Sequence, residues 1–175
     1  MLCWRCSSVY NINTNIAGLD IFILNFQVQP TQAIYIKAQL NNCHSVLMGE
    51  AAALALGATI VKALQLYSCN FLSDSQQLVH FLHQDRQDHL SQWRIKPFTQ
   101  SYSNIAGTLQ AQLYKISRQT NITADTLAKQ AQSSTFSTEA FHCNRSQCGI
   151  ICSLLQALLD VNLTNVTILT AACCG

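Results

Sequence analysis

Charge is the scarcest property of this chain. Asp, Glu, Lys and Arg make up 10% of its 175 residues, against roughly 25% in an average soluble domain, so most of the surface must be amide and hydroxyl. The net charge of +2 is too small to mark out a polyanion-binding protein without a local cluster of cations. Long apolar runs are missing too. Asp20, Glu50 and Lys62 interrupt the best candidates, and none reaches the roughly 18 uninterrupted apolar residues of a membrane helix. Residues 1 to 16 carry Asn and Ser where an export signal needs a continuous apolar stretch. These absences predict an intracellular protein, nuclear or cytoplasmic, without a membrane partner. A length of 175 residues with 49% apolar content holds one domain with a real core and not two.

Cysteine, by contrast, is abundant, with nine residues at positions 3, 6, 43, 69, 143, 148, 152, 173 and 174. Cys3-Trp4-Arg5-Cys6 is a lone CxxC, and a structural zinc ion needs a second pair of ligands that the later spacings do not supply. The expectation is a set of mostly reduced, small buried hydrophobes. Glycosylation-type triplets at Asn121, Asn144, Asn162 and Asn165 support the opposite reading of a secreted, disulfide-stapled protein.

Along the chain, residues 20 to 28 and 33 to 40 are rich in β-branched and aromatic side chains and read as a hairpin, with a further short strand at 8 to 12. From Val46 to about Tyr67 the period changes, because Leu47, Ala51, Leu54, Ala58, Val61 and Leu64 recur every three or four residues, the spacing of one helix face. A short strand at 70 to 72, a helix at 76 to 82, an irregular polar connection at 84 to 97, a helix at 99 to 110, a strand at 112 to 117 and a helix at 123 to 132 follow. That alternation predicts an α/β fold, a mixed sheet flanked by helices. Residues 1 to 132 form this domain. Residues 133 to 175 read as a linker and a small C-terminal extension, with a helical middle at 152 to 159.

Three of only eight acids stand against apolar segments: Glu50 in the long helix, Asp74 just past a strand end, and Asp125 at the opening of the last helix. Singly, each has an ordinary explanation as a solvated first-turn acid or helix cap. Together they are hard oxygen ligands placed where a mixed sheet gathers its reactive residues, and they suit magnesium. His44, His80, His83, His89 and His142 lie elsewhere and read as surface residues.

Met48-Gly49-Glu50-Ala51-Ala52-Ala53-Leu54, Phe71-Leu72-Ser73-Asp74-Ser75 and Asn121-Ile122-Thr123-Ala124-Asp125-Thr126-Leu127-Ala128 occur in one order. In that order they resemble the type 1 ribonuclease H domain, in the diverged form found in plants and beside reverse transcriptases, over residues 17 to 132. Trp93-Arg94-Ile95-Lys96-Pro97-Phe98 resembles the same group. The resemblance implies a ribonuclease H-like fold and hydrolysis of the RNA strand of an RNA-DNA hybrid. It makes Glu50, Asp74 and Asp125 the catalytic ligands of a two-Mg2+ site. Ser75, Arg94, Lys96 and Arg118 are then the candidate nucleic-acid contacts, with Lys37 and Lys115 as further cations.

The family's first, bridging Asp belongs on the opening strand, and no acid precedes Asp20. Asp20 itself falls where the family has glycine. Asn11 and Asn13 are the expected stand-ins, and a neutral amide lacks the charge that holds a divalent ion. The family's mobile His before the last Asp is absent from Arg118-Gln119-Thr120. Three functions remain: a weakened ribonuclease H, a silent nucleic-acid-binding domain of the same fold, and a secreted structural protein.

Overall fold

A computed structural model describes residues 2–25, 32–67, 69–83, 93–133, 140–143, 158 and 161–174. Three long strands open it: β1 (Leu2–Asn11), β2 (Ile16–Asn25) and β3 (Gln32–Leu40), paired antiparallel in sequence order. After helix α1 (Val46–Ala63), strand β4 (Cys69–Ser73) pairs parallel with β1, and β5 (Gln112–Lys115) pairs parallel with β4. Between them lie α2 (Gln76–His83) and α3 (Lys96–Leu109). A 3₁₀ turn at Arg118–Asn121 leads into α4 (Ile122–Ser133). Two further strands, β6 (Ala140–Cys143) and β7 (Val166–Cys174), complete a seven-stranded sheet in the order β5-β4-β1-β2-β3-β7-β6.

The mixed sheet flanked by helices is the predicted fold class, and the ribonuclease H-like element order is present. Two elements differ from the sequence reading. The opening strand is not a short piece at 8 to 12 but all of Leu2–Asn11. In the C-terminal segment, Val166–Cys174 runs antiparallel to β3 as part of the same sheet. Of the helix expected at 152 to 159, only Leu158 lies within the described residues; it is helical and buried.

Period-two alternation divides the sheet into two faces. Leu19, Ile21, Ile23, Ile36, Ala38 and Leu40 point to one side and are buried in the core, where α1 packs on β1 and β2. This helix is capped by Ser45, whose Oγ accepts from the Met48 amide. It is long and apolar enough to cross a membrane, but 72% of it is buried among the sheet and α3, which explains why it is apolar nearly all round. Helix α4 covers the opposite face, across β1, β2 and β3.

Two glycines set how closely the helices approach. A Cβ on Gly18 would lie 2.0 Å from the Ala128 carbonyl oxygen and 2.4 Å from the Gln132 nitrogen, both backbone atoms of α4. A Cβ on Gly49 would meet Ser8 Oγ at 2.7 Å. Backbone cannot yield as a flexible side chain can, so Gly18→Ala is expected to lift α4 off the sheet and cost at least about 2 kcal/mol, toward the upper end for overpacking. Urea unfolding checks this. A loss under about 0.5 kcal/mol would show that α4 is not seated as described.

Candidate metal centre beside strand β1

Strand β1 runs parallel to β4, and their last paired residues are Arg5 and Leu72. Two residues further along each chain stand Ser7 and Asp74, so the carboxyl end of β4 delivers Asp74 beside the middle of β1. Successive side chains of β1 then point to opposite faces. Ser8 faces α1, and Ser7 faces α4.

On the α1 side, Glu50 Oε1 accepts from the Ser8 amide at 3.2 Å and from Ser8 Oγ at 2.9 Å. Gly49 makes this approach possible by leaving Ser8 Oγ unobstructed. Glu50 is 6% exposed, and its second oxygen, Oε2, is buried with no hydrogen-bond partner. On the α4 side, Ser7 Oγ donates to Asp125 Oδ1. Between them, buried Asn121 donates Nδ2 to the Cys6 carbonyl at 3.3 Å and to Asp74 Oδ1 at 3.0 Å, tying β1, β4 and the start of α4 together. Arg118 Nε lies 3.3 Å from Asp74 Oδ2.

Glu50, Asp74 and Asp125 are thus brought to one stretch of β1 through Ser8, Asn121 and Ser7. Among the described residues no three Asp, Glu, His or Cys side chains close into a ready-made metal cage. The donor chemistry still fits a hard divalent ion, because every donor is oxygen and Glu50 Oε2 is buried with no hydrogen-bond partner.

The expected nucleic-acid contacts divide. Arg118 reaches the site, but its side chain is 84% exposed, so its ion pair with Asp74 adds little stability. Ser75 caps α2, its Oγ accepting from the Leu78 amide at 3.3 Å. Arg94 and Lys96 stand at the opening of α3, where Arg94 lies over the Trp93 ring at 5.3 Å. No described hydrogen bond or ion pair joins these two to the carboxylates.

Asn11 and Asn13, the expected stand-ins for the missing acid, lie at the turn end of β1. Asn11 is the last residue of β1, and its Oδ1 accepts from the Asn13 amide in the turn that follows. Ser7 holds the place beside Asp125. The misplacement has a physical origin: Cys6-Ser7-Ser8 lacks the apolar alternation of a strand, so the opening strand is read as starting where Val9 and Tyr10 begin. Asn121 carries a signal that points elsewhere, because Asn-Ile-Thr is also a glycosylation triplet. At 0% exposure and bonded twice, this residue is a structural amide.

Asp20 is placed by the same register. It pairs with Ser7 on β1 and Lys37 on β3, and it is 0% exposed with neither carboxyl oxygen hydrogen-bonded. Burial pushes its pKa up from 3.8 to about 8, against the opposing pull of Lys37. Burial likewise raises Glu50 from 4.5 to about 7. Folded-state values above the unfolded ones mean that the native protein holds these protons more tightly. Their contribution to stability is full below about pH 4 and is lost as pH rises toward 8. Metal-free protein is therefore expected to resist urea better at pH 5 than at pH 8.5, with Asp20→Asn flattening the difference. A profile that rises toward pH 8.5 would contradict the burial described for these acids.

Residues 6–131 match the family described as reverse transcriptase-like. No curated protein sequence matches the chain. Among solved structures, the N-terminal ribonuclease H domain of a Mycobacterium tuberculosis protein aligns with a TM-score of 0.63 at 17% identity, covering 75% of this chain and 92% of that one. Ribonuclease H1 of Halobacterium salinarum aligns at 0.57 and 15% identity, covering 74% and 96%. The compost metagenome enzyme LC11 ribonuclease H1, solved with an RNA/DNA hybrid, aligns at 0.56 and 15%, covering 75% and 96%. At these identities the structures establish the fold. The family match spans well over half of the sequence, and the chain, with its ribonuclease H-like fold, belongs to the reverse transcriptase-like family.

Proposed function

We propose that this chain binds RNA-DNA hybrids and hydrolyses their RNA strand slowly, with Mg2+ as the required ion. The observation that carries the reading is the gathering of Glu50, Asp74 and Asp125 around β1, with a neutral Ser7 beside Asp125 on the opening strand. A solved relative of the same fold holds an RNA/DNA hybrid, which supports the substrate class.

Glu50, Asp74 and Asp125 are the residues that would hold the metal. When bound, two such ions supply an activated water and stabilise the leaving oxygen of a phosphodiester. The protein's own part is positioning. Ser8 fixes one oxygen of Glu50 and leaves the other available, Asn121 aims Asp74, and Ser7 holds Asp125 in place. Glu50, Asp74 and Asp125 by themselves would offset three of the four positive charges of two divalent ions, so a site built from these three alone would hold its ions weakly. Arg118 is exposed at the rim and supplies a cation for phosphate, while Ser75, Arg94 and Lys96 are proposed contacts along α2 and α3. Hybrid recognition depends on helix shape and the 2′-hydroxyl more than on a large basic patch, in keeping with a net charge of only +2.

We place this activity inside the cell. Cys6, Cys43 and Cys69 are buried and unpaired, and Asn121 is inaccessible to a glycan, both of which weigh against a secreted, stapled protein.

The test is Mg2+-dependent cleavage of a labelled RNA-DNA hybrid by the wild type and Asp74→Asn. Slow wild-type cleavage that falls by at least about 100-fold in Asp74→Asn supports the reading, in line with the loss of one preorganised electrostatic group. Hybrid binding with no cleavage in either protein would make the domain a silent binder.

A further inference from the structure

Asp20 has no role in the site as the resemblance draws it, yet its surroundings are unusual. It sits in the middle of β2, directly across the ladder from Ser7. Cross-strand partners in an antiparallel pair project from the same face, with Cβ atoms about 5 Å apart. Ser7 and Asp20 therefore share the α4 face, on which Ser7 Oγ donates to Asp125. Both Asp20 oxygens are buried with no hydrogen-bond partner. An unpaired buried carboxyl group is costly, and such groups are rare in native structures unless something else satisfies them. Its other cross-strand neighbour, Lys37, does not close the gap, because Lys37 Nζ donates instead to Gln130 Oε1 on α4 at 3.0 Å.

We propose that Asp20 is the fourth carboxylate of the metal site, moved from the opening strand to its antiparallel neighbour. This inference rests on the metal-dependent reading above and adds a residue to it. Moving a carboxylate from position 7 to position 20 shifts it sideways by one interstrand spacing, about 4.8 Å, and keeps it on the same face. Ser7 is the small residue that leaves room for this arrangement. The set Asp20, Glu50, Asp74 and Asp125 restores four negative charges against two divalent ions.

The test measures metal binding without turnover. Mn2+ and Mg2+ titrations by calorimetry compare the wild type, Asp20→Asn, Ser7→Asp/Asp20→Asn and Glu50→Gln, alongside thermal unfolding of each protein free of metal. Asp20→Asn is expected to weaken ion binding at least about tenfold, within the range seen when groups supporting a metal site are lost, while raising the metal-free melting temperature by removing a buried unpaired carboxyl. The double variant is expected to recover affinity, because Asp at position 7 supplies the charge again. Unchanged affinity in Asp20→Asn together with weakened affinity in Glu50→Gln would overturn the role of Asp20 and leave the metal site standing. A lowered metal-free melting temperature in Asp20→Asn would overturn it also, by showing a structural partner such as Lys37. No ion binding by any of the four proteins would remove the metal-dependent reading and this proposal together.

Discussion

Ser7→Asp is expected to speed cleavage of an RNA-DNA hybrid by about 100-fold or more, the scale of one well-placed electrostatic group in a preorganised site. The position is chosen by contact: Ser7 Oγ already touches Asp125 Oδ1 and faces α4 two residues beyond the last β1–β4 pair. An aspartate there puts a carboxylate between Asp74 and Asp125 without disturbing Ser8, which holds Glu50 from the other face. Without metal the same substitution crowds a second carboxylate against Asp125, so the apo protein loses stability while Mg2+ recovers it. The signature is therefore a faster rate combined with a larger metal-induced rise in melting temperature. Asn11→Asp and Asn13→Asp serve as matched controls, since both lie at the turn end of β1, and they are expected to leave the rate unchanged. An equal gain from either control would mean that added negative charge, and not its position, is responsible.

The second large effect is expected at Asn121. Its amide makes two bonds, to the Cys6 carbonyl and to Asp74 Oδ1, from a fully buried position. Asn121→Ala leaves the carbonyl and one carboxylate oxygen without their donor and opens a small void. Each such loss costs about 1–3 kcal/mol, so a total of about 2–6 kcal/mol is expected. Cleavage should fall at least as far as in Asp74→Asn, because Asp74 would retain only the exposed Arg118. Denaturant unfolding and single-turnover cleavage measured side by side separate the two effects. Retained cleavage in folded Asn121→Ala would show that Arg118 alone suffices to orient Asp74.

Much of the fold was legible because strong periodicity leaves little choice. The three-and-four spacing from Leu47 to Leu64 predicts a buried helix, and α1 occupies Val46–Ala63. The β-branched runs around Ile21 and Ile36 predict the hairpin of β2 and β3. The site was legible in part. Glu50, Asp74 and Asp125 stand out as acids against apolar segments, and the structure joins them through polar partners that carry no such signal. Ser7 and Ser8 interrupt apolar alternation, so they disguise the strand whose register defines the site. Asp20 reads as the start of a strand when β2 is begun at residue 20; with β2 beginning at Ile16 it becomes a mid-strand acid opposite Ser7. Strand β7 is hidden for a different reason. Its Thr, Ala and Cys residues carry weak patterning, and its place is set by backbone pairing to β3, a long-range contact that local sequence does not encode.

The proposed function requires this domain to recognise an RNA-DNA hybrid through a metal site beside β1. The most direct measurement is equilibrium binding, in Mg2+ and at one fixed salt concentration, of a labelled hybrid against competitor DNA duplex of the same sequence. A preference for the hybrid of about tenfold or more, equivalent to about 1.4 kcal/mol, is expected, and it weakens on removal of Mg2+ by chelation. Equal affinity for both duplexes, or a preference indifferent to chelation, would contradict the proposed function.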